Sequence, residues 1–424
     1  PPHSSVIYKK SFVEELGMYR KEIKRAEDHD LWLRMSEKTH LVCWNTSITY
    51  IRKHIDQISN LEENNDTLKF TISNINVSYV NAIRRVLLSE IPCIVFKTEP
   101  HEENNVNIIT NKTRLNNELI KQRLSCIPIF INDLKTPIDN YQVIINKQNT
   151  SDNIEFITTE DIDIIDKKLN KSLDINLIRN IFPKNSFTND FIDIVRLRPS
   201  LSKESEGEQL ILSADLSIGT AKENGAYNVV STCSYGNTPN IPIIEEKISK
   251  LILEYESKNL DQKKIDFLIK DWRLLNEEMN FIPDSFDFTI ETIGQFSNKD
   301  LVIKAIGIMK QKIFKFIEDI QVNEDLIKKS ETTLENAFDI YLIKEDYTLG
   351  KAIEYMLFKK HYDEQSDKIL NFVGFKKPHP HIDESLIRLG FYQPTEKSSV
   401  INILINVGKD LENLYQSILN NFNV

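Results

Sequence analysis

Two stretches of the chain, NVSYVNAIRRVLL (76–88) and DYTLGKAIEYMLF (346–358), lie over one another without a gap at a constant offset of 270 positions. Ala82 and Ile83 meet Ala352 and Ile353, and Val86, Leu87 and Leu88 meet Met356, Leu357 and Phe358. Ser78 and Thr348 coincide as expected N-caps, because a hydroxyl there can accept from a free amide of the first turn. Before each helix the apolar alternation also coincides, Leu68, Phe70 and Ile72 over Phe338, Ile340 and Leu342, as expected of a strand with one buried face. After each helix, FKTEPH (96–101) has a counterpart in FKKPH (375–379). The pattern predicts two copies of a strand–helix–strand unit. Each copy carries more apolar helix surface than its own short strands would cover, so the economical burial is of one copy against the other. The fold class expected is α+β: two strand–helix dimerisation units forming an intramolecular pseudo-dimer. Its seam would be built from Val80, Ile83, Val86 and Leu87 against Leu349, Ile353, Met356 and Leu357.

Opposite that arc, Asn81, Arg84 and Arg85 cluster as i, i+3, i+4 neighbours on the first helix. The same places of Arg84 and Arg85 in the second copy hold Glu354 and Tyr355. The copies thus share a seam and differ outside it, and Asn81, Arg84 and Arg85 are the candidate docking residues for a further partner. The alternative for both arginines is a solvated position beside the seam.

With 424 residues, 40% of them hydrophobic, the chain can bury more than one core. A formal charge of −10 argues against direct nucleic-acid binding, which needs a basic face. Four cysteines, Cys43, Cys93, Cys126 and Cys233, form no CxxC pair, so neither a zinc site nor a disulfide framework is expected, and a reducing compartment fits. Cys93 and Cys126, in IPCIVF and LSCIPI, read as small core residues. No apolar run reaches the ~20 residues that span a bilayer. The Pro-Pro start reads as a fragment, or as a processed or joined end. The two histidines of KKPHPH are an incomplete ligand set, and GTAKENGAYNVV lacks the GxxxxGK[ST] pattern of a phosphate loop, so no metal or cofactor is expected.

Residues 1–60 stand apart. HSSVIYKKSFVEELGMYRKEIKRAEDHDLWLRM, followed by ITYIRKHIDQIS, resembles the C-terminal part of the catalytic domain of family 2 glycosyltransferases. The resemblance implies Asp28 as general base with Glu27 beside it. Read from the residues alone, AEDHDLWLR is equally a helix with acids in its first turn, where the dipole favours them. The family's nucleotide-sugar site lies on a preceding half for which this chain has no room. The expectation is therefore a truncated remnant, with sugar transfer from a nucleotide-sugar donor as the alternative function. NLEENND (60–66) reads as a linker.

From there on, NVSYVNAIRRVLLSEIP, RLNNELIKQRLSCIPI, DIVRLRP, LSADLSIGTAKENGAYNVV and FDFTIETIG follow in the order seen in the alpha-like subunits of cellular RNA polymerases. These are bacterial alpha, archaeal D and the third-largest eukaryotic subunit. EDYTLGKAIEYML and FVGFKKPHP resemble the small partner, archaeal L or the eleventh subunit of eukaryotic RNA polymerase II. The resemblance implies a non-catalytic assembly subunit of a DNA-directed RNA polymerase, whose partners are the largest, second-largest and small subunits. It also implies that the arginine face docks the second-largest one. Two partners joined in one chain are similar to the arrangement in large DNA viruses of the cytoplasm, which implies a cytoplasmic location, in a viral factory or virion. Between Leu134 and Ile192 there is no cysteine, so the zinc loop or iron–sulfur cluster of some relatives cannot be built there. The expected domains are the remnant at 1–60, an alpha-like unit at 61–133 and 194–334, an inserted lobe at 134–193, and an eleventh-subunit-like unit at 335–424.

Overall fold

A computed structural model describes residues 58–64, 66–200, 206–364 and 366–422. The glycosyltransferase-like segment with Glu27 and Asp28 lies outside the described residues.

The first sheet has the order β1-β2-β12-β11, from β1 (Ile58–Asn64), β2 (Thr67–Ser73), β11 (Val230–Pro239) and β12 (Phe281–Thr292). Its buried face carries Leu68, Phe70 and Ile72 beside Phe286, Phe288 and Ile290, with Phe70 stacked on Phe288 at 5.0 Å. Helix α1 (Val77–Ser89) follows β2. Helix α2 (Asn117–Ser125) and helix α3 (Ile175–Ile181) belong to a second lobe described below. Helices α4 (Ile241–Ser257) and α5 (Gln262–Asn276) form a hairpin between β11 and β12, and the long helix α6 (Asn298–Val322) follows β12.

The described residues from Ile327 onward repeat this plan. Strands β13 (Ile327–Lys329), β14 (Ala337–Ile343), β15 (Leu370–Lys376) and β16 (Glu384–Phe391) form a sheet of order β13-β14-β16-β15, with helix α7 (Tyr347–His361) after β14 and helix α8 (Lys397–Phe422) after β16. Strands β2 and β14, and helices α1 and α7, begin at the same offset of 270. The equivalence extends to a second offset, 99, for the later strand and helix of each unit. Phe70 pairs with Phe288 as Ile340 pairs with Ile387, and α6 begins at Asn298 as α8 begins at Lys397.

Several expectations are corrected. The caps are Asn76 and Asp346, whose side chains accept from the amides of Ser78 and Thr348, each at 2.9 Å. The hydroxyl residues thus supply the donors, because the chain turns helical two residues earlier than the apolar pattern begins. FKTEPH and FKKPH are not equivalent: β3 (Cys93–Phe96) pairs with β10 (Gln209–Gly219) in a separate sheet, and β11 holds the place that β15 holds in the second unit. NLEENND is not a free linker. Glu62 and Glu63 stay exposed while their backbone pairs with β2 as an edge strand, with a bulge between Ser59 and Glu62.

The separate lobe is larger than 134–193. Strands β3, β10, β5 (Tyr141–Gln148), β7 (Ile162–Asp166) and β8 (Lys171–Ser172), with β4 (Val106–Asn111) also on β10, make its sheet, and β6 (Glu155–Thr158) pairs with β9 (Asp193–Leu197). One buried core runs from Ile94 to Leu216 and includes Ile120 and Leu124 of α2 and Ile178 of α3. DIVRLRP and EQLILSADLSI therefore belong to this lobe, since a strand joins whichever partner completes its hydrogen bonds and covers its apolar face. At the other boundary β13 pairs with β14, so the second unit's sheet begins before residue 335.

Candidate functional site

The eight expected seam residues are all buried: Val80, Ile83, Val86 and Leu87 on α1, and Leu349, Ile353, Met356 and Leu357 on α7, none above 7% exposure. Helix α1 packs on α7 and on α6, and α6 packs on α8. Burial of such side chains stabilises by about 1.5–3 kcal/mol each. The α6–α8 contact depends on Gly408, because a Cβ there would stand 2.6 Å from Cγ1 of Ile317. At its far end α8 reaches the first sheet, where the Phe422 ring meets Phe70 edge-on at 4.9 Å.

The contacts that cross between α1 and α7 include residues outside the expected eight. The Tyr79 hydroxyl lies 3.8 Å from Sδ of Met356, and its ring packs edge-on against Tyr355 at 5.6 Å and against Tyr415 of α8 at 6.5 Å. Burial pushes the Tyr79 and Tyr415 phenols well above the ordinary tyrosine range. Tyr415 Oη has no hydrogen-bond partner among the described residues.

Arg85 corrects the expectation of an arginine face pointing wholly away from the seam. Its Nη2 donates to Oδ2 of Asp346 at 2.9 Å and its Nε donates to Oγ1 of Thr348 at 2.9 Å. It thus binds the capped start of α7. Burial pushes the Asp346 carboxyl up, but hydrogen bonds from Thr348 and the charges of Arg85 and Lys222 outweigh this and hold it below the usual range. Tyr355, which stands at Arg85's place in the second copy, also reaches across. A helical wheel drawn for one helix misses such contacts, because a long side chain leans along the helix and spans to its neighbour. Arg84 behaves differently. Its Nε donates to Oδ1 of Asn81 at 3.0 Å, and its charge opposes the burial that pushes the Cys233 thiol of β11 up to about 12. Of the three expected docking residues, Asn81 and Arg84 are half-buried and hydrogen-bonded to each other.

A second polar cluster joins three elements. Lys312 of α6 lies 2.8 Å from Glu90, the C-cap of α1, and 2.9 Å from Glu345, two residues before α7. These side chains are 13%, 10% and 18% exposed, so the ions are largely withdrawn from water. Burial pulls the Lys312 ammonium down, but Glu345 and Glu90 outweigh it and hold it above its ordinary range. Glu345 is pushed up by burial against the opposing charge of Lys312. Nothing local in the sequence marks this triad, whose members lie far apart along the chain.

Among the described residues there is no cluster of three or more His, Cys, Asp or Glu able to hold a metal ion, and no helix long and apolar enough to cross a membrane. Cys93 and Cys233 are buried, whereas Cys126 is exposed at the C-cap of α2 and is not the core residue expected.

Residues 69–313, more than half of the chain, match the family described as the RNA polymerase Rpb3/Rpb11 dimerisation domain. The chain belongs to that family. The match runs from β2 into α6 and ends before β13, so the second unit lies beyond it. Among similar proteins is the DNA-directed RNA polymerases IV and V subunit 3B of Arabidopsis thaliana, 26% identical over 327 residues, covering 68% of this chain and 94% of that protein. DNA-directed RNA polymerase subunit Rpo3 of Methanosphaera stadtmanae is 26% identical over 282 residues (62% of this chain, 98% of that protein). Rpo3 of Pyrococcus furiosus is 22% identical over 287 residues (62% and 97%).

Proposed function

We infer that this chain is a non-catalytic assembly subunit of a DNA-directed RNA polymerase that carries its own dimerisation partner. One observation supports this most: in a member of a dimerisation family, helix α1 is already covered by α7, from a unit of the same strand order that lies outside the family match. The second unit then takes the role of a separate small subunit, and the two units act as an intramolecular pseudo-dimer. This fused arrangement is the one expected of a cytoplasmic DNA virus. A rigid double unit suits a scaffold, since two related but unlike outer faces can hold two different large subunits in fixed places. Asn81 and Arg84 are the residues proposed to meet the second-largest subunit, with Arg85 committed within the chain. The sugar-transfer reading of Glu27 and Asp28 gains no support from a family match that begins at residue 69.

Affinity capture of the full chain from the cell or particle that makes it, followed by identification of the retained chains, tests the proposal. The largest and second-largest polymerase subunits are expected, and N81A/R84A should weaken retention of the second-largest while leaving the urea midpoint unchanged. Capture without any polymerase subunit would overturn the reading.

A further inference from the structure

The two units are alike in topology, so a chain of this kind faces a problem of choice. Its first unit could pair with its own second unit or with the first unit of another copy. The apolar seam does not discriminate, because both α1 and α7 offer buried aliphatic faces. The polar groups around it do.

The equivalences of 270 and 99 positions state what each polar residue would meet in a self-paired arrangement. Glu345, Asp346 and Thr348 of the second unit stand where the first unit has Ile75, Asn76 and Ser78. Were a second first unit to replace the second unit, Lys312 would face the buried Ile75 in place of Glu345, and Arg85 would face an uncharged Asn76 in place of Asp346. In each first unit Lys312 would keep Glu90 but lose its second carboxylate, and the half-buried Arg85 would lose Asp346. Conversely, the second unit has Tyr355 and the fully buried Leu411 at the places of Arg85 and Lys312. Self-pairing of second units would leave Asp346 without its guanidinium and Glu345 against Leu411, with Lys360, at the place of Glu90, as the cation in reach. A largely buried charge is tolerated only when paired, so removing its partner is strongly unfavourable. Repulsive or unpaired alternatives are how related surfaces are kept from pairing wrongly.

We propose that the Glu90–Lys312–Glu345 triad and the Arg85–Asp346 pair are the specificity determinants that select unlike pairing of the two units over pairing of first units with one another. The proposal rests on the pseudo-dimer reading above. It assigns the Lys312–Glu345 contact a role in partner choice, since those two residues come from different units, whereas Glu90 and Lys312 belong to the same one.

The test uses the full chain with a protease site placed in the exposed turn at 323–325, between α6 and β13, and cut after folding, so that each fragment keeps all the strands of its own sheet. Nicked chains with and without a mass tag are mixed, and the rate at which the fragments exchange is followed by native mass spectrometry. The unmodified nicked chain should exchange slowly and form no species containing two first fragments. Lys312→Glu should accelerate exchange about a hundredfold or more, the scale expected for stranding buried charge. The double variant Lys312→Glu/Glu345→Lys restores one cation between two carboxylates and should return to within about tenfold of the unmodified rate. If Lys312→Glu does not fold, Lys312→Gln serves in its place, with at least a tenfold acceleration and some paired first fragments expected. Exchange unchanged in the single variants, or a double variant no slower than Lys312→Glu, would overturn the proposal. Immediate separation of the unmodified fragments would instead overturn the pseudo-dimer reading on which it rests.

Discussion

Arg85 and Asp346 offer a measurement in which the contribution of an ion pair can be separated from that of a helix cap. Asp346 has two tasks: its Oδ1 accepts from the Thr348 amide at 2.9 Å, and its Oδ2 accepts from Arg85 at 2.9 Å. The first unit shows how to remove one task alone, because Asn76 caps α1 by the same contact without a charge. Asp346→Asn should therefore keep the cap and lose the pair, whereas Asp346→Ala loses both. Charge-assisted hydrogen bonds contribute about 1.5–3 kcal/mol, and exposed pairs about 0.2–1 kcal/mol. With side chains 35% and 22% exposed, the pair belongs between these limits, at about 1 kcal/mol. Asp346→Asn should then destabilise by about 1 kcal/mol in the native background and by about zero beside Arg85→Ala. Asp346→Ala should cost about 1 kcal/mol more in either background, from the lost cap. Urea unfolding of the full chain reads these differences as shifts of midpoint at constant slope. Equal losses for Asp346→Asn with and without Arg85 would show that the guanidinium contributes nothing at this seam, and the reasoning would fail.

Gly408→Val should destabilise by about 1–3 kcal/mol through overpacking against Ile317, and Ile317→Ala in the same chain should recover part of it; thermal unfolding of the single and double variants checks both. Tyr415→Phe should leave stability unchanged or raise it by up to about 1 kcal/mol, because it removes a buried hydroxyl without a partner; a loss above 1 kcal/mol in urea unfolding would contradict this. For Asp346, whose carboxyl is held below its ordinary range, the stabilisation is present above the unfolded-state value and lost as pH falls through the folded one. The gap in unfolding free energy between the native chain and Asp346→Asn should accordingly close below about pH 4. Glu345, raised by burial, carries the opposite sign, so Glu345→Gln should lose its relative disadvantage least at low pH.

Elements built from local signals were legible along the chain. A constant offset through strand and helix located β2 and β14, and α1 and α7, at corresponding positions, because side-chain period and apolar spacing are properties of neighbouring residues. The sequence also marked eight apolar helix residues that are all buried, since burial follows from amphipathic geometry. Which strands share a sheet depends on long-range packing. β3 follows α1 directly yet joins β10, while β11 takes its place beside β12, a choice between partners of similar apolar character far apart along the chain. The second repeat, β12 and α6 against β16 and α8, stayed hidden because its buried positions coincide at Leu301 and Val400, or Phe316 and Tyr415, in size and burial rather than in identity. Only the folded chain could place Arg85 on Asp346 and Lys312 between Glu90 and Glu345. A charged side chain's partner is set by what surrounds it in space, and no periodicity along the chain encodes that.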